Sequence, residues 1–294
     1  VGASERGPSG DEEGVGVGAA VAWTLLAAVL QQLVGLGAVA IRSLVHGLRW
    51  EEAAERVLAD PAALALVQVG AFGVVIALAT RLHAPDGEPA RQALGLHAVS
   101  APAAWAAIGA GVCLQLPLAE LSNLVQEVWP LPEAVRVRQA HLLAQPTPWS
   151  ALAATAAFVV VAPVTEELLF RGVLLRGLRR RHGPWVALAL SSALFGLSHH
   201  AGVSTVAYAT VAGLVLGAVA LRTGSTLAAM AVHGAVNAVP LVLPPSLLPI
   251  PGLHPAAGEG AHVPAPLVVG SALLAAGALG LLARLSPRSG GSHG

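Results

Sequence analysis

Eight apolar stretches, each roughly long enough to cross a bilayer core of about 20 helical residues, dominate this chain. They run over 15–41, 61–80, 100–121, 149–178, 184–200, 203–221, 224–242 and 265–284. A helix satisfies its own backbone hydrogen bonds in lipid. The runs therefore confine the fold to an all-α, polytopic membrane protein of about eight transmembrane helices. Composition agrees: 55% of the 294 residues are hydrophobic and 11% charged, with a mean hydropathy of +0.71. That is too few polar residues to cover a water-facing surface. Pro61, Pro102, Pro148, Pro184, Gly224 and Pro264 or Pro266 punctuate the starts of the runs.

One transmembrane domain over 15–285 is expected, between a polar tail at 1–14 and a disordered tail at 286–294. The first run follows an acidic head (Glu5, Asp11, Glu12, Glu13), which points to a retained span rather than a cleaved leader. The connection 42–60, which mixes Arg49, Glu51, Glu52 and Arg56 with Leu48, Trp50 and Val57, reads as a short interfacial helix or a polar loop. Residues 123–145 read the same way.

The 16 basic and 16 acidic residues balance, so no field of one sign favours nucleic acid as a partner. Every basic residue is arginine, a bias that points to a GC-rich bacterium and hence its inner membrane. With the N-terminus inside, Arg81, Arg91, Arg176, Arg179, Arg180, Arg181, Arg222 and Arg284 fall on cytoplasmic flanks, which places both termini in the cytoplasm. Arg42, Arg49 and Arg56 oppose this arrangement, and a seven-span alternative with the first span reversed would accommodate them. Cys113 is the only cysteine, so disulfides and thiolate metal clusters are excluded.

Ionisable groups inside a span cost about 2.5 to 3.5 kcal/mol each on insertion scales, which marks them as functional candidates. Here they concentrate in three spans: Thr165-Glu166-Glu167-Leu168-Leu169-Phe170-Arg171, Phe195-Gly196-Leu197-Ser198-His199-His200, and His233-Gly234-Ala235-Val236-Asn237. Glu167 and Arg171 stand at i and i+4, the favourable order for an intrahelical ion pair, while Glu166 points about 100° away. Glu166 is thus the candidate general base. The same spacing places Phe195 with His199 and His233 with Asn237. Counting about 1.5 Å per residue from the cytoplasmic ends sets Glu166, His199, His233 and Asn237 in one layer, roughly 13 to 23 Å deep. Ser198 beside His199 reads as packing, since neighbouring helical residues diverge. Gln31 and Gln32 read as interhelical hydrogen-bond glue or the lining of an entry path. Pro163 and Pro240 are expected to loosen or bend their helices beside the charged residues.

These three elements, Glu-Glu-x-x-x-Arg, Phe-x-x-x-His and His-x-x-x-Asn on separate helices and in order, resemble the CPBP family of intramembrane proteases. This is the CAAX-protease and bacteriocin-processing group, and the resemblance covers residues 149–242. It implies an eight-helix membrane fold and peptide-bond hydrolysis in a membrane-anchored protein substrate within the lipid bilayer. Glu166 and His199 would activate water, His233 and Asn237 would hold the water or the oxyanion, and Glu167 and Arg171 would support them. The family is described both as metallo- and as glutamate-type; Glu166, His199 and His233 would be the ligands if a divalent metal such as zinc takes part. Prenylated CAAX tails belong to eukaryotic relatives, so removal of C-terminal anchors or sorting tails, leader processing and self-immunity all stay open for a bacterial chain. The competing reading is a non-catalytic transporter, immunity or scaffold protein that uses the same polar cluster to bind an ion or partner.

Overall fold

The computed structural model describes residues 14–144, 147–254 and 261–286. The tails expected at 1–14 and 286–294 fall outside these except for Gly14 and Ser286. The described residues form helices and no strand, an all-α polytopic membrane fold. Among the described residues, six helices are long and apolar enough to span: α1 (Val17–His46), α3 (Pro61–His83), α5 (Ala101–Val128), α7 (Pro148–His182), α9 (Val203–Thr223) and α11 (Ala265–Leu285). Two more, α8 (Pro184–Ser198) and α10 (Thr226–Val242), are apolar but shorter. They occupy the fifth and seventh expected spans. Short helices α2 (Trp50–Leu58), α4 (Ala90–Ala93) and α6 (Glu133–Ala144) lie in the connections.

Local sequence accounts for many boundaries. Asp60 caps α3 by accepting from the Ala62 and Ala63 amides while Arg42 from α1 reaches its other oxygen. Ser100, Thr147 and Ser225 cap α5, α7 and α10, each just ahead of an apolar run. Of the 42–60 connection, Trp50–Leu58 is helical, with Ala53 and Val57 buried and its glutamates exposed. The 123–145 segment divides instead: α5 continues to Val128 and α6 follows.

Large apolar side chains stay exposed along the bundle, among them Leu25, Val29 and Leu33 on α1 and Leu273 and Leu274 on α11, as lipid-facing surfaces require. Trp50, Trp129, Trp149 and Trp185 are exposed at helix ends, where amphipathic rings favour the membrane interface.

Small residues let the inner helices approach. A Cβ on Gly111 of α5 would strike the Val232 carbonyl and Ala235 of α10, and one on Gly234 would sit 2.8 Å from the Val159 carbonyl of α7. At one end of the bundle, Arg176 donates to the Gly224 carbonyl and Arg180 to that of His83. Thr226 donates through its amide to Gly95 and through its hydroxyl to Leu94. These bonds tie the start of α10 to the 84–100 loop and fix the height at which its polar residues enter the bundle.

Candidate active site

Helix α7 is not a regular α-helix. Two π-helical stretches, Ala156–Val161 and Leu168–Leu175, flank the short α-helical piece Ala162–Glu167 that carries both glutamates. Pro163 removes an amide at that junction, and the expected loosening takes the form of the preceding π stretch. Widened turns free carbonyls for tertiary partners: Phe158 accepts from Asn237 Nδ2 at 2.9 Å, and Phe170 accepts from the Ser191 hydroxyl at 2.9 Å.

Glu167 and Arg171 form the expected pair, with Nη1 2.8 Å from Oε1 and both side chains fully buried. Arg171 also donates to the Gly213 carbonyl, 3.1 Å away, and its guanidinium lies 4.4 Å from the Phe195 ring centroid. Glu167 Oε1 further accepts from His233 Nδ1 at 2.9 Å. Because a carboxylate held by arginine can only accept, that bond puts the proton on Nδ1 and turns Nε2 of His233 toward Glu166. His199 is oriented in the same manner by a different device. It terminates α8 rather than continuing it, and its Nδ1 donates to the Phe195 carbonyl at 2.8 Å. Phe195 packs between the two imidazoles, with ring centroids 4.7 Å from His199 and 5.8 Å from His233.

Glu166 Oε2 consequently faces two imidazole Nε2 atoms, 3.8 Å away on His199 and 4.0 Å on His233. Both separations exceed direct hydrogen-bond reach but lie within the span of one bridging water. The other oxygen, Oε1, accepts from Gln68 Nε2 of α3 at 3.2 Å; Gln68 also reaches Thr165 Oγ1 at 3.3 Å and accepts from Gln31 of α1 at 2.8 Å. Gln31 therefore does join helices. Gln68 escaped the sequence reading, although an amide between Val67 and Val69 in an apolar run is the same signal that singled out Gln31. Ser198 donates to the Phe195 carbonyl at 2.7 Å, in keeping with a packing role.

A cavity of about 380 Å³ opens onto this cluster, bringing Glu166, His199, His233 and Asn237 to one wall. Most of the remaining lining is apolar, including Leu114, Leu118, Phe158 and Val236. Gln115 and Tyr208, joined by a 2.9 Å hydrogen bond, mark the border with a larger polar vestibule lined by Asn123, Glu127, His254 and His262. Among the described residues no group of three His, Cys, Asp or Glu side chains is arranged to hold a metal ion. The Glu166 to His separations of 3.8 and 4.0 Å exceed the edge of about 3.3 Å expected of a tetrahedral zinc shell. As placed, the trio does not fit such a shell.

Residues 148–239 match the family model described as Type II CAAX prenyl endopeptidase Rce1-like. The matched third of the chain contains all three motif elements and supports the family resemblance read from them. No curated protein and no solved structure matches the chain.

Proposed function

We propose that this chain, whose motif-bearing segment is that of a CAAX-type membrane endopeptidase, hydrolyses a peptide bond near the end of a membrane-anchored protein by water activated between Glu166 and two histidines. The observation that carries the reading is the placement of Glu166 Oε2 opposite two imidazole Nε2 atoms, 3.8 and 4.0 Å away, at the wall of a largely apolar cavity. A water held there donates one proton toward Glu166 and the other toward the free lone pair of His199 Nε2. Glu166 takes the first proton as the water oxygen bonds to the scissile carbonyl carbon.

The negative charge then grows on the carbonyl oxygen. Asn237 keeps one amide hydrogen beyond the bond to Phe158 and supplies a donor to it, while His233, held from behind by Glu167, positions the water beside Glu166. Collapse breaks the C–N bond while Glu166 returns its proton to the leaving amine. The buried Glu167–Arg171 pair orients His233 without touching substrate. We place the cavity in the bacterial inner membrane with both termini cytoplasmic, since the end of the bundle that gathers Arg176, Arg179, Arg180 and Arg181 is also where Val15 packs against Gly177. An apolar cavity suits an extended C-terminal anchor or sorting tail.

Comparison of the N- and C-terminal proteomes of cells carrying the wild type, Glu166→Gln or His199→Ala, at equal membrane abundance, tests this. A defined anchored protein should be trimmed by the wild type, and the Glu166→Gln rate should fall by about 10² to 10⁴. Identical termini in all three strains, with a wild-type phenotype lost in the variants, would show that the cluster binds or transports instead.

A further inference from the structure

A second cavity, of about 130 Å³, meets Glu166 and His199 from the side of α1 and α3. Its lining differs in kind from that of the larger one. Helix α1 contributes Thr24, Ala27, Ala28, Gln31 and Gln32, small and polar residues that recur on one helical face. Val29 and Leu33, on the far side of the same turns, are bulky and exposed. Opposite stand Gln68, 8% exposed, and the polar end of α8 with Ser198, His199 and His200.

The fold supplies an independent reason for this recess to be wet. Helix α8 has 15 residues, so it rises about 22 Å and stops short of crossing a core about 30 Å thick. Residues 199–202 then run without helical structure, with His200 and Ala201 exposed, before α9 begins at Val203. The last carbonyls of α8 and the first amides of α9 thus come due for partners at membrane depth. Such backbone is tolerated only where protein buries it or water lines it. A space of about 130 Å³ with several amide and imidazole groups has the room and the two to four polar partners that bound water requires.

We propose that this recess is a water inlet, separate from the cavity that receives the peptide, and that Gln31 and Gln68 hand its hydrogen-bond network on to Glu166. The inference rests on the hydrolytic reading of Glu166. Substrate filling the 380 Å³ cavity would seal that side of the site. A second, polar approach lets water reach Glu166 while the peptide stays seated, and again after each cut.

Reactivity of single cysteines toward a charged methanethiosulfonate reagent tests the inlet in intact membranes, in a Cys113→Ala background. The reagent needs a thiolate, which forms in water and not in lipid. Ala28→Cys and Gln32→Cys are expected to react at least about tenfold faster than Val29→Cys and Leu33→Cys on the lipid side of the same turns. Equal rates at all four positions would overturn the inlet, whether lipid or tight packing fills the recess. This readout needs no peptidase activity, so it stands apart from the fate of the proposed function. In the cleavage assay, Ala28→Phe should lower kcat about tenfold with KM unchanged, since it plugs the inlet and leaves the peptide cavity intact. Unaltered kcat in that variant would show that the recess, though wet, does not feed the reaction.

Discussion

Arg171 is fully buried, held by Glu167, by the Gly213 carbonyl and by the face of Phe195. Replacing it with methionine would strand the Glu167 carboxylate with one remaining partner, His233. Loss of one member of a buried pair costs about 3 to 5 kcal/mol, so Arg171→Met should lower the melting temperature in detergent sharply and deplete the protein from membranes. Gln68 predicts the opposite profile. Its bond to Glu166 fixes which carboxylate oxygen faces the imidazoles, and a hydrogen bond to a charged group contributes about 1.5 to 3 kcal/mol. Gln68→Leu should therefore reduce kcat by about 10- to 100-fold with melting temperature far less affected than in Arg171→Met. A coincident fall in both quantities would make Gln68 a packing residue only.

The elements show what the sequence made legible. Helical periodicity pairs Glu167 with Arg171 correctly because that pair lies within one turn of one helix. The common depth expected of Glu166, His199, His233 and Asn237 comes from counting back from Arg181 and forward from Pro184 and Gly224, and all four line one cavity. What stayed illegible depends on departures from regular geometry. The π stretches redirect carbonyls of Phe158 and Phe170 that a uniform rise would leave inside the ladder. His199 turns toward Glu166 because α8 ends before it, an event no stop residue announces until Gly202. The contact of Gly234 with the Val159 carbonyl is likewise a property of two helices and invisible in either. It carries a prediction: Gly234→Ala forces α10 away from α7 and should cost about 1 to 3 kcal/mol and much of the activity. Gly270→Ala, where a Cβ meets nothing within 4 Å, should leave both unchanged when abundance and cleavage are compared.

At the scale of the whole molecule, residues 261–264 leading into α11 are fastened to α5 beside the vestibule by His262, whose Nδ1 lies 2.8 Å from Glu120 and Nε2 2.8 Å from Glu127. The Glu120 hydrogen bond raises the His262 pKa above its ordinary value, with both carboxylate charges adding to the effect. A raised pKa means the fastening is complete below about pH 6.5 and is lost as pH rises through the elevated value. Protease cleavage just ahead of α11 should accordingly accelerate with rising pH in the wild type, and His262→Gln should be cut at the high-pH rate throughout.

The shortness of α8 reaches beyond the protein to its solvent. With 15 residues beside spanning neighbours of 21 to 35, and with Trp185, Val186 and Leu197 exposed, α8 presents a hydrophobic height below that of the surrounding bilayer. Lipids along that side must compress or tilt to match it, at a cost of a fraction of a kcal/mol per Å. The membrane is thus expected to be thinnest beside α8, whose end leads into His199, where a polar peptide stretch has the least hydrocarbon to cross. Hydrophobic mismatch makes bilayer thickness a variable of the reaction. Reconstituted into lipids of increasing acyl length, the protein should cleave progressively more slowly, as its own thinned annulus becomes harder to maintain.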